Sequence, residues 1–317
     1  MYHSDQGAKA QLRTVLLILF PLTLIPQLTA DGSFTFFSEE FGELYHSHSG
    51  AKQEAEAKFV APCQLSERAS HSQSLYLLDI CYGLGYNTAA ALAAIWAANP
   101  QCQVTLIALE LEITVPRQAI AEQLLSGWPP SVTELLAELA ATASVQIPQL
   151  QASLEIGDAR QTLSSLQRSG YQADAIFLDP FSPSKCPQLW TVEFLAIAAQ
   201  CLKPSGRLVT YSCAAAVRTA LQLAGLQVAP APSVGRRSPG TIASFPDPNL
   251  PPLSQQEQEH LQTRAAIPYR DPFLKDSAAD ITLRRRSEQQ ASSLEPTSQW
   301  QKRWQVGSRE WGRGCEE

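Results

Sequence analysis

Residues Leu77-Leu78-Asp79-Ile80-Cys81-Tyr82-Gly83-Leu84-Gly85-Tyr86-Asn87 constrain this chain more than any other stretch. An apolar run carries an acid near its end, a glycine-bearing turn follows, and an alanine-rich helical pattern runs from Thr88 to Ala98. That order is strand, tight loop and helix N-terminus, the opening unit of a doubly wound α/β sheet. A dinucleotide site would carry a third glycine, as G-x-G-x-x-G. Here Gly83 and Gly85 are followed by Tyr86, Asn87 and Thr88. An acid four residues before the first glycine suits a cationic ligand better than a pyrophosphate. S-Adenosylmethionine, with a sulfonium and an ammonium group, is such a ligand. A plain tight turn between a core strand and a helix fits the same residues.

From Leu75 onward strands and helices alternate. Strands are expected at Leu75–Ile80, Val104–Glu110, Leu154–Ile156, Ala173–Leu178, Arg207–Ser212, Leu226–Ala229 and Thr241–Phe245. Helical patterns fill the gaps at Thr88–Ala98, Pro116–Ser126, Val132–Ala143, Ala159–Gln167, Trp190–Cys201 and Ala215–Ala224. Such alternation implies right-handed crossovers and a mainly parallel sheet. The Leu202–Arg207 stretch reads as a Pro/Gly turn before the fifth strand. Upstream, Ser33–Phe37 and Phe41–His46 read as a strand pair packed beside the main domain, and Gly50–Val60 as a helix. After Phe245 the chain turns proline-rich and then polar, which predicts a linker, a helix near Gln255–Ala265 and disorder beyond. The expected organisation is a hydrophobic extension (1–30), a substrate-side segment (31–74), the α/β domain (75–245), and a linker with a largely disordered basic tail (246–317).

The formal net charge of −6 is unevenly spread. Residues 1–202 carry 9 Lys and Arg against 19 Asp and Glu, whereas residues 203–317 carry 15 against 11. An acidic body with a basic C-terminal part can present one face to a polyanion. Seven cysteines, an odd number with no C-x-x-C pair, point to reduced thiols and a cytoplasmic protein. His46 and His48 lack cysteine partners, so no metal is expected. Val15–Ile25 is apolar but is broken by Pro21 and bounded by Pro26, too short for a span of about 20 residues; no stable membrane association is expected.

Ligands of doubly wound sheets bind at the carboxyl ends of the strands. Four consecutive expected strands end in acids: Asp79, Glu110, Asp158 and Asp179. Each alone is an ordinary turn or cap residue; together they outline a site. Gly83 and Gly85 let backbone approach the methionine part of the cofactor. Asp79 balances its positive charge, Glu110 accepts the ribose hydroxyls, and Asp158 accepts from the adenine amino group. Asp179 then faces the reacting methyl. Asp179-Pro180-Phe181-Ser182-Pro183 looks like the Asp-Pro-Pro-Tyr loops of amine methyltransferases, which hold an amino group by a carboxylate and a backbone carbonyl.

From about Asp31 to Ala243 the chain resembles the methyltransferase domain of MnmC-type tRNA-modifying enzymes. That family carries an acid followed by G-F-G-x-G-x-N, matched by Asp79 to Asn87 with Cys81 in place of the first glycine. Its F-L-D-G-F-A-P-x-x-N-P-x-x-W-T loop is matched by Phe177 to Thr191, with Pro180 for glycine and Cys186 for asparagine. Val217-Arg218, Ala224-Gly225-Leu226 and Gly235-Arg236-Arg237 are similar to its V-R-x-x-L-x-x-A-G-F and G-x-K-R segments; Gly50-Ala51 and Glu54 also match. Cys81 is tolerated if its backbone needs no positive φ. The resemblance implies a doubly wound, mainly parallel Rossmann-like methyltransferase sheet with a small N-terminal β/α addition and a poorly ordered C-terminal tail.

It further implies N-methylation of the 5-aminomethyl group of wobble (2-thio)uridine in tRNA, without a flavin domain. Asp179 would be the catalytic residue, and Asp79, Tyr82, Gly83, Gly85, Asn87, Glu110 and Asp158 the cofactor residues. The base of the anticodon loop would stack on Phe181, Trp190 or Tyr82, beside Glu54. Arg218, Arg236 and Arg237 would hold phosphates. A methyltransferase acting on another amine, and a non-catalytic RNA- or protein-binding module, remain alternatives.

Overall fold

The computed structural model describes residues 24–233 and 239–305. Two short hairpins come first: β1 (Gln27–Leu28) with β2 (Phe34–Thr35), and β3 (Phe37–Ser38) with β4 (Glu43–Leu44). Helix α1 (Ala51–Glu54) runs on through a π-helical stretch, Ala55–Val60, and a 3-10 turn, Ala61–Cys63, to α2 (Leu65–His71). The main sheet then builds as β5 (Ser74–Ile80), α3 (Tyr86–Ala98), β6 (Gln103–Glu110), α4 (Thr114–Ala121), α5 (Pro130–Thr142), β7 (Ser144–Ile147) and β8 (Leu150–Ile156). It continues with α6 (Ala159–Arg168), β9 (Ala173–Leu178), α7 (Val192–Gln200), β10 (Leu202–Thr210), α8 (Ala215–Leu223), β11 (Gln227–Pro230) and β12 (Thr241–Ser244).

Across the sheet the order is β11-β12-β10-β9-β5-β6-β8-β7. The five strands from β10 to β8 are parallel; β12, β11 and β7 are antiparallel to their neighbours. The chain leaves β5 toward β6 and β8, then returns to place β9 on the other side of β5. The switch point therefore lies between β5 and β9, where ligands of such sheets bind.

The central strands are apolar throughout because helices cover both faces. Side chains alternate between two cores. Leu77, Ala175 and Phe177 face α3 and α5, whereas Leu78, Ile176 and Leu178 face α6, α7 and α8. All six residues of β9 are buried.

Several expectations need correction. The strand β7, on the sheet edge, was not foreseen. The Leu202–Arg207 turn lies within β10, as a register shift between Leu202 and Arg207. The expected disorder beyond Ala265 gives way to α10 (Ala278–Ala291) and α11 (Thr297–Arg303), after α9 (Gln255–His260) and a 3-10 turn at Arg264–Ala266. Buried Tyr269, Ile281 and Trp300 anchor this region. A serine-glutamate capping box at Ser254 and Glu257 starts α9. The N-terminal extension is also packed from Leu24, which touches the core. Cys63, Cys81, Cys102, Cys186 and Cys201 are free thiols, but Cys213 is disulfide-bonded, against the expectation of thiols throughout. No helix among the described residues is long and apolar enough to cross a membrane.

Candidate active site

After Ile80 the backbone turns sharply. The amides of Cys81 and Tyr82 both donate to the Leu109 carbonyl, at 3.0 Å each. Cys81 takes φ +69°, Gly83 +55° and Gly85 +85°. The family's first glycine position is thus left-handed, and Cys81 sits there with a side chain that disfavours it. Gly85 caps α3. A Cβ on Gly85 would lie 2.5 Å from the Tyr82 hydroxyl, and one on Gly83 would lie 3.4 Å from the Tyr45 ring. The need for glycine here therefore comes from backbone sign at both positions and, at Gly85, from the Tyr82 hydroxyl. Tyr82 itself is buried beneath the turn, which corrects its reading as a stacking surface.

Two acids lie under this loop without a cationic partner. Asp79 is fully buried; one carboxylate oxygen accepts from Thr88 Oγ1 at 2.7 Å, and Oδ1 has no partner. Burial pushes its pKa up to about 7, and the nearby Glu110 adds to this. Glu110 accepts from the amides of Gly83 (2.8 Å) and Glu112 (3.0 Å). Its pKa is raised by burial, against the pull of those amides. A buried acid with no counter-charge suits a cationic ligand, so the residues present fit S-adenosylmethionine. Asp79 would meet its positive groups and Glu110 its ribose. Half-exposed Leu111 and Ile156, on the adjacent ends of β6 and β8, give an apolar surface that the sequence reading missed. Each is the residue at or just past a strand end, a position any strand has, so no motif marked them.

The second motif follows β9. The Asp179 amide donates to the Ile80 carbonyl at 3.1 Å, joining the two strand ends across the switch point. Asn87 Nδ2 donates to Asp179 Oδ2 at 2.9 Å. The loop beyond is held at Pro180, Phe181 and Ser182. Tyr211 donates to the Pro180 carbonyl (3.0 Å), and Trp190 Nε1 to the Phe181 carbonyl (2.9 Å). Glu43 accepts from both the amide (3.0 Å) and hydroxyl (2.6 Å) of Ser182. Phe181 stacks on Phe41 with centroids 4.3 Å apart, and Tyr45 meets it edge-on at 4.9 Å. The β3–β4 hairpin is thus a wall of the site. Sequence reading placed it beside the domain but did not single out Phe41, Glu43 or Tyr45.

Other expected site residues lie elsewhere or do other work. Trp190 is fully buried and props the loop, so it offers no stacking face. Arg218 is also buried, bonding Glu257 at 2.8 Å, Thr241 at 3.0 Å and the Gly240 carbonyl; it cannot hold phosphate. Glu54 is buried too, accepting from the Ser47 amide and from Lys58 at 3.1 Å, and it ties α1 to the N-terminal segment. Asp158 caps α6 and pairs with Arg160 at 2.7 Å. Partial burial opposes its ionisation, but the Arg160 bonds prevail and its pKa is lowered. Arg160 passes on to the buried Asp271 at 3.0 Å. Arg236 and Arg237 lie outside the described residues.

Residues 117–246 match the family described as S-adenosyl-L-methionine-dependent methyltransferase. The crystal structure of MnmC2 from Aquifex aeolicus is 30% identical, with 92% of this chain and 94% of that one covered and a TM-score of 0.74. The tRNA 5-methylaminomethyl-2-thiouridine biosynthesis bifunctional protein MnmC of Ralstonia nicotianae is 31% identical over 238 residues, 70% of this chain. The match spans 34% of that protein, about a third of its length. An uncharacterized protein of Methanocaldococcus jannaschii is 29% identical over 254 residues, 78% of this chain and 67% of its own.

Proposed function

We propose a reaction for this chain, which belongs to the MnmC family of S-adenosyl-L-methionine-dependent methyltransferases: N-methylation of the 5-aminomethyl group of wobble (2-thio)uridine in tRNA, giving the 5-methylaminomethyl base. The observation that carries it is the joining of two motifs at one switch point. Asn87, from the cofactor turn, holds Asp179, from the loop that resembles amine-binding loops. The cofactor, when bound, supplies a methyl group already activated by its sulfonium. With the cofactor bound, Asp179 would hold the neutral amine with its lone pair toward that methyl and would take the amine proton as the N–C bond forms and the S–C bond breaks. Phe181, set by Phe41 and Tyr45, offers the aromatic face for the base. The names of the bifunctional relatives support the tRNA substrate. A cytoplasmic place of action goes with this reading.

The test uses tRNA bearing wobble 5-aminomethyl-2-thiouridine, methyl-labelled cofactor and nucleoside mass spectrometry. Label in the wobble nucleoside is expected. Label only in protein or in small molecules would move the reaction to another amine. Asp179→Asn keeps the shape and loses the base, so turnover falls on the order of 10²–10⁴-fold, while cofactor affinity stays near wild type. Turnover near wild type in that variant would make Asp179 a turn residue only.

A further inference from the structure

We infer that Asn87 is a second anchor for the amine to be methylated: its Nδ2 holds the Asp179 carboxylate and its Oδ1 accepts one N–H of the amine. The inference rests on the reaction proposed above. Asn87 lies on the first turn of α3, directly after the glycine turn, and is 5% exposed. Its amide is fixed in orientation, because a carboxylate at 2.9 Å requires the NH2 side. The oxygen is then left as a buried acceptor without a partner. Such an orphan is destabilising in a folded protein, and a native structure keeps one where a ligand, an ordered water or an ion completes it.

Asp79 Oδ1 and Asn87 Oδ1 are orphan acceptors flanking the cofactor turn; a further one, Gln188 Oε1, belongs to the 3-10 turn later in the Phe177–Thr191 loop. Two amino groups meet at the cofactor turn as well, one on the cofactor and one on the substrate. Asp79 lies fully buried in β5 under the cofactor turn, whereas Asn87 is bonded to the carboxylate that faces the reacting nitrogen. The pairing follows: Asp79 serves the cofactor, and Asn87 the substrate. A neutral primary amine has two N–H bonds, one C–N bond and one lone pair. With one N–H on Asp179, a second on Asn87 and the carbon fixed by the stacked base, the lone pair has a single remaining direction. That is the orientation in-line transfer needs. The usual partner for the second N–H in such loops, the carbonyl after the acid, here has one of its two lone pairs taken by Tyr211 at Pro180.

The test measures cofactor affinity by calorimetry, and kcat and KM on aminomethyl-tRNA, for the full chain and two variants. Asn87→Ala should keep the cofactor Kd within about threefold while kcat/KM falls on the order of 10²-fold. The retained cofactor affinity also shows that the variant is folded. Asn87→Asp keeps an acceptor oxygen but loses the donor. Its KM for tRNA should stay near wild type, while the acid limb of kcat moves to higher pH, because two adjoining carboxylates share a proton. A role in folding alone moves neither the limb nor the KM split. A tenfold loss of cofactor affinity in Asn87→Ala with unchanged KM for tRNA would assign Oδ1 to the cofactor's amine and overturn the inference. Unchanged kinetics in both variants would overturn it as well. Wild-type protein inactive on aminomethyl-tRNA would overturn the substrate reading and this inference together; active wild type with indifferent variants overturns the inference alone.

Discussion

Cys81 shows how much one position in a turn can carry. At φ +69° it occupies backbone space that costs an L-residue roughly 1–2 kcal/mol. Cys81→Gly relieves that strain but adds freedom to the unfolded chain, about 0.4–1 kcal/mol. The net expectation is a change between zero and about 1.6 kcal/mol of added stability in a denaturant titration. Cys81→Val places a β-branched side chain in the same space and should destabilise by about 2 kcal/mol or more. Equal midpoints for the glycine and valine variants would show that the turn is not strained there. Asp79 makes a different prediction. With a pKa pushed up to about 7 by burial, it is largely neutral in the free protein below that pH. A bound cation favours its carboxylate, so cofactor binding at pH 6 should release close to one proton. Affinity should rise up to about tenfold per pH unit toward 7 and level off above. Calorimetry in buffers of different ionisation enthalpy reads the proton directly, and Asp79→Asn should abolish the dependence. Binding that is equally pH-dependent in that variant would place the coupling at another group.

At the scale of elements, legibility followed burial. The strands β5, β6 and β9 are buried on both faces, so each stood out as an apolar run, and the acids at their ends marked the site. What failed to show were elements whose stability comes from a few contacts. The strand β7 is four residues long, with only Val145 buried. Helix α10 has one buried residue, Ile281, among polar neighbours. Composition averages such segments into apparent disorder. It also hides arginines that act inward: the Val217-Arg218 match looked like a phosphate contact until Arg218 proved to be pinned under α9. Its pair with Glu257 joins α8 to the C-terminal helices inside the fold. Removing one partner leaves a buried charge unpaired, which costs about 3–5 kcal/mol, whereas replacing both by apolar residues of similar size is close to neutral. Glu257→Ala should therefore lower stability by that amount, and Arg218→Met with Glu257→Leu should recover most of it. A mild Glu257→Ala variant in urea unfolding would mean that the C-terminal helices are attached independently of this pair.

For the whole molecule, much of the positive charge among the described residues of the C-terminal part is engaged within the fold. Several of its arginines are paired with acids of the fold. Arg207 pairs with Asp247, Arg270 with Glu193, Arg284 with Asp276, and Arg303 with both Glu259 and Glu295. Arg264 and Arg285 donate to backbone carbonyls. Of the run Arg284-Arg285-Arg286, two members are thus structural. Among the described residues of that part few cations remain for phosphate, and the residues through β9 are acidic on balance. Binding of tRNA should accordingly depend weakly on salt. Each phosphate contact to single-stranded nucleic acid contributes about −0.7 to the slope of log K against log salt. If Arg236 and Arg237 both touch phosphate, their double alanine variant should have a slope shallower by roughly 1 to 1.5, a large part of a small total. Arg303→Ala, which opens an exposed ion pair, should leave both the slope and the stability nearly unchanged. Titrations at several salt concentrations separate the cases. A steep wild-type slope that persists in the Arg236/Arg237 double variant would mean that the body, despite its acidity, presents a cationic surface elsewhere, and that recognition of the tRNA is more than the capture of one splayed base.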